Sequence, residues 1–156
     1  MESINYIKGD ATSPQGHGNK LIVHICNDIG AWGKGFVLAI SKKWIEPECQ
    51  YREWFKSQKD FGLGKVQFVQ VESNVFIANM IGQNKIKRAN RQAPIRHEAV
   101  EQCLMKVADF AINNQTSIHM PRIGCGLAGG NWNEIELIIN RILIDKNIKV
   151  TVYDFG

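Results

Sequence analysis

Three stretches of this chain carry residue types able to grip an anion or a polar ring. The first is Gly9-Asp10-Ala11-Thr12. The second runs from Asn27 through Asp28, Ile29, Gly30, Ala31, Trp32, Gly33 and Lys34 to Gly35. The third runs from Arg122 through Ile123, Gly124, Cys125, Gly126, Leu127 and Ala128 to Gly129-Gly130. Glycines let a backbone turn through positive φ at no steric cost, and successive N–H groups can then point at one ligand. A helix N-terminus behind such a turn adds unpaired donors and partial positive charge. Two such turns side by side suit two phosphates, that is, a diphosphate. Neither turn is a P-loop, because GxxxxGK[ST] is absent, and the Gly30, Gly33, Gly35 spacing is not GxGxxG. Either turn alone reads equally well as a plain connector. Their pairing at one sheet edge is what points to function.

The elements that must position these turns follow from periodicity. Leu21–Cys26 (LIVHIC) is nearly all apolar, as expected of a strand covered on both faces. Val66–Val71 and Val75–Met80 flank the polar turn Glu72-Ser73-Asn74 and read as a hairpin. Ile4–Ile7, Ser117–Met120 and Lys149–Tyr153 are short strand candidates. Helical spacing links Ala99, Cys103, Val107 and Phe110, with Pro94 expected in the first turn. Ile135, Ile138, Ile139 and Ile142 form a second stripe, with Asn131 as N-cap and Glu134 as a capping-box partner. Further helices are predicted over Lys34–Trp44 and from Pro47 through Tyr51 and Phe55. Strands alternating with helices predict a three-layer α/β/α domain around a mixed, mostly parallel sheet. In such sheets ligands sit beyond the carboxyl ends of the strands, which is where all three turns fall.

Composition narrows the alternatives. A chain of 156 residues, 44% hydrophobic, fits one domain with a sizeable core. The formal net charge of +4 favours phosphate-bearing partners only weakly. Apart from Lys85–Arg91 the positive charge is dispersed, so a general nucleotide- or RNA-binding role is the least favoured class. The four cysteines, Cys26, Cys49, Cys103 and Cys125, form no CxxC pair and no zinc spacing. No metal and no cofactor is expected. Residues 1–10 lack the pattern of a secretory leader, and a reducing, cytoplasmic setting is expected. No apolar run approaches the roughly 20 residues of a spanning helix, so no membrane partner is expected.

The ordered set of motifs resembles the macrodomain family. The pieces are Tyr6-Ile-Lys-Gly-Asp10, His24-Ile-Cys-Asn27 leading into Gly33-Lys-Gly35, Pro121-Arg-Ile-Gly-Cys-Gly126, and Val150-Thr-Val-Tyr153. They span nearly the whole chain. The set looks closest to the branch of terminal ADP-ribose glycohydrolases and ADP-ribose 1''-phosphate phosphatases. The resemblance implies ADP-ribose, or an ADP-ribosylated macromolecule, as ligand. Asp10, beside Ala11, would take the adenine amino group; by itself it reads as a turn cap. The loop of Asn27, Trp32, Gly33, Lys34 and Gly35 would wrap the distal ribose and one phosphate. Asn27 reads as a ribose contact or a bond to its own backbone, and Trp32 as a wall of the ribose site or packing on the sheet. Arg122, Gly124, Cys125, Gly126, Leu127 and Ala128 would hold the diphosphate. Tyr153 or Phe155 would stack on adenine. His24 reads as a hydrogen-bonded core residue, or as a catalytic group in the manner of the phosphatase-like relatives.

Two departures matter. Glycohydrolases that reverse glutamate-linked ADP-ribosylation use a Lys after the hairpin strand and an Asp after Cys-Gly-Leu. This chain has Gln83 and Ala128 there, with Lys85 two residues further on. A glutamine cannot form the adduct open to a lysine amine. Hydrolysis of an ADP-ribose derivative and binding without turnover therefore both stand as expectations. The basic segment Asn84–Arg91 reads as a solvated loop or as a flap near phosphates.

Overall fold

The strand β2 (Asn19–Asn27) shows how this sequence builds a sheet with two covered faces. Leu21 and Val23 enter the core on one side, while Ile22 and Cys26 enter the core on the other. Alternation along β2 thus separates two apolar sets, and the run reads as continuously hydrophobic. The computed structural model describes residues 3–85, 93–125 and 129–155. The other strands are β1 (Asn5–Lys8), β3 (Val66–Glu72), β4 (Val75–Gln83), β5 (Thr116–Met120) and β6 (Val150–Asp154). Their order in one sheet is β1-β6-β5-β2-β4-β3. All neighbours are parallel except β3 and β4, the predicted hairpin.

Helices α1 (Phe36–Lys43) and α2 (Glu46–Ser57) cover one face with Val37, Ile40 and Tyr51, joined by Trp44 just after α1. Helices α3 (His97–Asn114) and α4 (Trp132–Ile142) cover the other with Val100, Cys103, Leu104, Ile135 and Ile139. Burying each such side chain contributes roughly 1.5–3 kcal/mol, well above the differences of about 0.7 kcal/mol among ordinary helix propensities. Burial is why α3 forms although no side chain caps its N-terminus. The three-layer, mixed, mostly parallel architecture expected from the sequence is the one observed. No helix of the described residues is long and apolar enough to cross a membrane.

Three local expectations shift. Helix α1 begins at Phe36 rather than Lys34, because Gly35 caps it at φ 86°, outside helical backbone. Pro94 lies before α3, not in its first turn: Arg96 is the extended N-cap, and Pro94 O accepts from Asn84 N at 2.8 Å. Asn131 does cap α4, accepting from Asn133 N at 2.8 Å, but Glu134 sits 3.2 Å from His97 Nε2 instead of closing a capping box.

The topology places the site. β2 and β5 are neighbours, yet β2 leads to α1 on one face and β5 leads to α4 on the other. Connections that diverge from adjacent parallel strands leave a crevice at their carboxyl ends. The loops after β1, β2, β4 and β5 all emerge at that edge, with the residues after β6.

Candidate ligand-binding site

The loop after β2 is held by side chains. Asn27 Oδ1 accepts from Ile29 N and Ala31 N, both at 3.0 Å, and Nδ2 donates to Ala31 O at 2.8 Å. The buried Tyr51 hydroxyl lies 2.6 Å from Asn27 O and 2.9 Å from Asn27 Oδ1. Of the two readings of Asn27, the bond to its own backbone is the one seen: its amide shapes the loop. Trp32 resolves likewise. It is 3% exposed, donates from Nε1 to Ser41 Oγ at 2.8 Å and packs against Tyr51 at 5.4 Å between ring centroids, so it belongs to the α1/α2 core. Gly33, Lys34 and Gly35, ahead of α1, leave the loop's outer surface open.

His24 lies beneath this loop, 2% exposed. Its tautomer follows from Asn79. Asn79 Nδ2 donates to Pro47 O at 3.2 Å and Gln67 Oε1 at 3.1 Å, so its Oδ1 must accept. His24 Nε2–H donates to that oxygen at 2.5 Å. Nδ1 is buried with no partner among the described residues. Burial lowers the imidazole pKa from the ordinary 6.5 to about 4, against the opposing effect of the Asn79 bond. The ring is covered by Trp32 and Phe36, at 5.4 and 6.0 Å between centroids. The catalytic expectation for His24 is therefore corrected. It is a neutral core residue turned away from the rim.

The loop after β5 is held by backbone shape. Gly124 takes φ 76°, and its carbonyl accepts from Gly130 N at 2.6 Å. A Cβ on Gly130 would sit 2.5 Å from that oxygen, so the closure demands glycine. The expected contacts Gly126, Leu127 and Ala128 lie outside the described residues. Cys125 is half-buried, and burial raises its thiol pKa against the influence of Arg122, which disfavours a thiolate nucleophile. Arg122 is paired across the rim. Its Nε and a terminal nitrogen donate to Asp154 at 2.6 and 3.1 Å, and its guanidinium lies 5.1 Å from the Tyr6 ring and 5.2 Å from the Trp132 ring.

Asp10 follows β1. Its Oδ1 accepts from Thr12 N at 2.8 Å and Thr12 Oγ1 at 2.7 Å, the turn-cap geometry, while no hydrogen bond to Oδ2 is found among the described residues. Ala11 is buried. Tyr153 is 3% exposed and cannot stack on a base; Phe155, 86% exposed, can. Gln83 closes β4, and its Nε2 donates to Lys85 O at 2.8 Å. Residues 86–91 of the basic segment, and Gln92 after it, lie outside the described residues. Among the described residues no group of three or more His, Cys, Asp or Glu is placed to hold a metal ion.

Sequence reasoning missed two supports. Asp28 accepts from Lys85 N at 2.7 Å and Asn84 Nδ2 at 2.8 Å, joining the loops after β2 and β4. Tyr51 read as one apolar position on a helix. An Asx pair ending a strand was the available signal for Asp28, while nothing local marked Tyr51.

Comparison with known proteins gives the lineage. A macrodomain protein from Streptomyces coelicolor is 51% identical, with 99% of this chain and 100% of that one covered, at TM-score 0.89. This chain belongs to the macrodomain family. A protein of unknown function from Bacteroides thetaiotaomicron is 61% identical over 97% of this macrodomain and 98% of its own chain, at TM-score 0.96. Among curated relatives, the zebrafish (Danio rerio) chromodomain-helicase-DNA-binding protein 1-like is 32% identical over 97% of this macrodomain. The macrodomain spans only 15 and 18% of the length of that protein and its mouse counterpart. An ADP-ribose 1''-phosphate phosphatase from Candida albicans is 25% identical over 96% of this chain and 98% of its own. The ADP-ribose glycohydrolase OARD1 of Bos taurus is 28% identical over 96% and 90% respectively. No family model matches the chain.

Proposed function

We propose that this macrodomain binds ADP-ribose across the crevice between β2 and β5 and hydrolyses a derivative of it at the distal ribose. ADP-ribose 1''-phosphate and a mono-ADP-ribosyl ester on a macromolecule are the substrate classes. The observation that carries this reading is the switch point: two glycine turns at adjacent strand ends, each leading to a helix on its own face. Backbone N–H groups from both turns take the diphosphate. Asp10 Oδ2 accepts from the adenine amino group, and Phe155 stacks on the base. The likeness to an ADP-ribose 1''-phosphate phosphatase and an ADP-ribose glycohydrolase supports both the ligand and the reaction class.

With His24 buried, catalysis rests on alignment. A water held against the phosphate or ester by the two turns gains from proximity and from fixed donors aimed at developing charge. One observation favours a second reading, binding without turnover: Gln83 stands where related glycohydrolases carry lysine, and its amide is tied to Lys85 O. One experiment separates the two. The purified protein is titrated with ADP-ribose by calorimetry, then incubated with ADP-ribose 1''-phosphate and with a glutamate-ADP-ribosylated peptide. Phosphate or ADP-ribose release above the blank is expected. Binding without release from either substrate selects the second reading, and no binding at all rejects both.

A further inference from the structure

The loop over residues 9–18, which presents Asp10, lies on the sheet face opposite α3 and α4. Val150 and Val152 of β6 face those helices, so Tyr153 faces the other way, beneath this loop. The side chains on that face of the sheet are polar and buried: Lys20, His119, Thr151 and Tyr153. Tyr153 and His119 belong to a hydrogen-bond chain in which each donor is used once. Gln15 N–H donates to Tyr153 Oη at 2.9 Å. The Tyr153 hydroxyl donates to His119 Nδ1 at 2.7 Å. His119 Nε2–H donates to Ser117 Oγ at 2.8 Å, and the Ser117 hydroxyl reaches Asn19 O at 3.4 Å. Only the neutral Nε2–H tautomer completes this direction. Burial, helped by the cations of Lys20 and Lys149, keeps His119 in that neutral form, its pKa lowered to about 4.

Tyr153 holds both ends of the arc that carries Asp10. Its hydroxyl accepts from Gln15, and its ring lies under Gly9, where an added Cβ would sit 3.4 Å from Cδ2. Gly9 N also donates to Asp154 O at 3.0 Å. Between these supports Asp10 turns one carboxylate oxygen inward to Thr12 and leaves the other available. Lys43 adds a strut from α1 to Thr12 O and Ser13 Oγ.

We infer that Tyr153 is a specificity-positioning residue: it sets the Asp10 carboxylate against the exocyclic amine of the base through Gly9 and Gln15, without touching the ligand. The inference rests on the proposed adenine contact of Asp10. Its test uses two ligands, ADP-ribose and inosine diphosphate ribose, in which a 6-oxo group and a protonated N1 replace the amine, titrated calorimetrically into the wild type, Asp10→Ala and Tyr153→Phe. The phenylalanine keeps the ring under Gly9 and removes the hydroxyl. The wild type is expected to prefer ADP-ribose, and Asp10→Ala to abolish that preference. Tyr153→Phe is expected to weaken ADP-ribose about five- to tenfold, the scale of one lost hydrogen bond, and to leave inosine diphosphate ribose unchanged. Equal weakening for both ligands, or no change for either, overturns the inference while leaving the adenine reading intact. A wild type that binds both ligands equally sinks the adenine reading itself, and the inference with it. If Tyr153→Phe does not fold, Ser117→Ala, which cuts the far end of the chain, is expected to narrow the preference two- to threefold, roughly half the free energy of one bond. An unchanged preference there also overturns the inference.

Discussion

The two glycine turns of this macrodomain share a rim and do not share a construction. The turn after β2 is braced from beneath by Asn27, Tyr51, Asp28 and Trp32; Gly33 and Gly35 sit on its outer surface, while Gly30, at φ 76°, packs on Phe55. The turn after β5 has little side-chain bracing among its described residues, and it closes through Gly124 O and Gly130 N. One turn is fixed by what its side chains hold. The other is fixed by the side chains it lacks. The first should therefore fail when a polar side chain is cut, the second when a methyl group is added.

The largest effect is expected from Gly130→Ala. The new Cβ cannot coexist with Gly124 O at 2.5 Å, so the turn must open. Strain of this kind costs about 1–3 kcal/mol, and displaced phosphate donors add to the loss. ADP-ribose affinity by calorimetry should fall about a hundredfold, with a folded protein by circular dichroism. A variant that binds normally would show that the closure is incidental.

Next comes Asn27→Ala, which empties the centre of the other turn and leaves the Tyr51 hydroxyl and two backbone N–H groups with fewer partners. A loss of about 2 kcal/mol in unfolding free energy is expected, read from urea midpoints at constant m. Binding should weaken less than in Gly130→Ala, because the open outer surface of the loop remains.

The smallest effect is a pH dependence of stability contributed by His24, beneath the turn after β2. His24 binds its proton near pH 4 in the folded chain and near 6.5 when unfolded. As pH falls through 6.5 the unfolded chain takes up a proton that the folded chain refuses, so stability is present above pH 6.5 and drains away towards pH 4. At pH 5.5 the wild type should have lost about 1 kcal/mol more, relative to pH 7, than His24→Gln. Equal losses would mean that the imidazole is not held neutral.

The same contrast explains what could be read from residue order. The alternation of strands and helices, the hairpin, the N-cap at Asn131 and the rim positions of the turns were legible, because burial and capping act over a few residues. The facing of individual side chains was not. β2 and β6 are covered on both sides, so period-two alternation separates their residues into two sets without saying which set meets which layer. His24 and Tyr153 were ambiguous for that reason, and both turn into buried networks rather than towards the rim. Arg122 was hidden differently. A guanidinium in a phosphate loop invites a clamp, and its pairing with Asp154, far along the chain, left no local signal. Phe155, beyond the last strand, is 86% exposed.

The bridge from Asp28 to Lys85 and Asn84 carries a further implication. One carboxylate sutures two loops that the chain separates by 57 residues. Neither loop can then be lengthened or shortened alone near its strand without tearing that stitch. Insertions that diversify such a domain must spare that stitch or arrive in both loops together. Loop grafting between relatives should succeed when the pair is moved as a unit and fail when either half travels by itself.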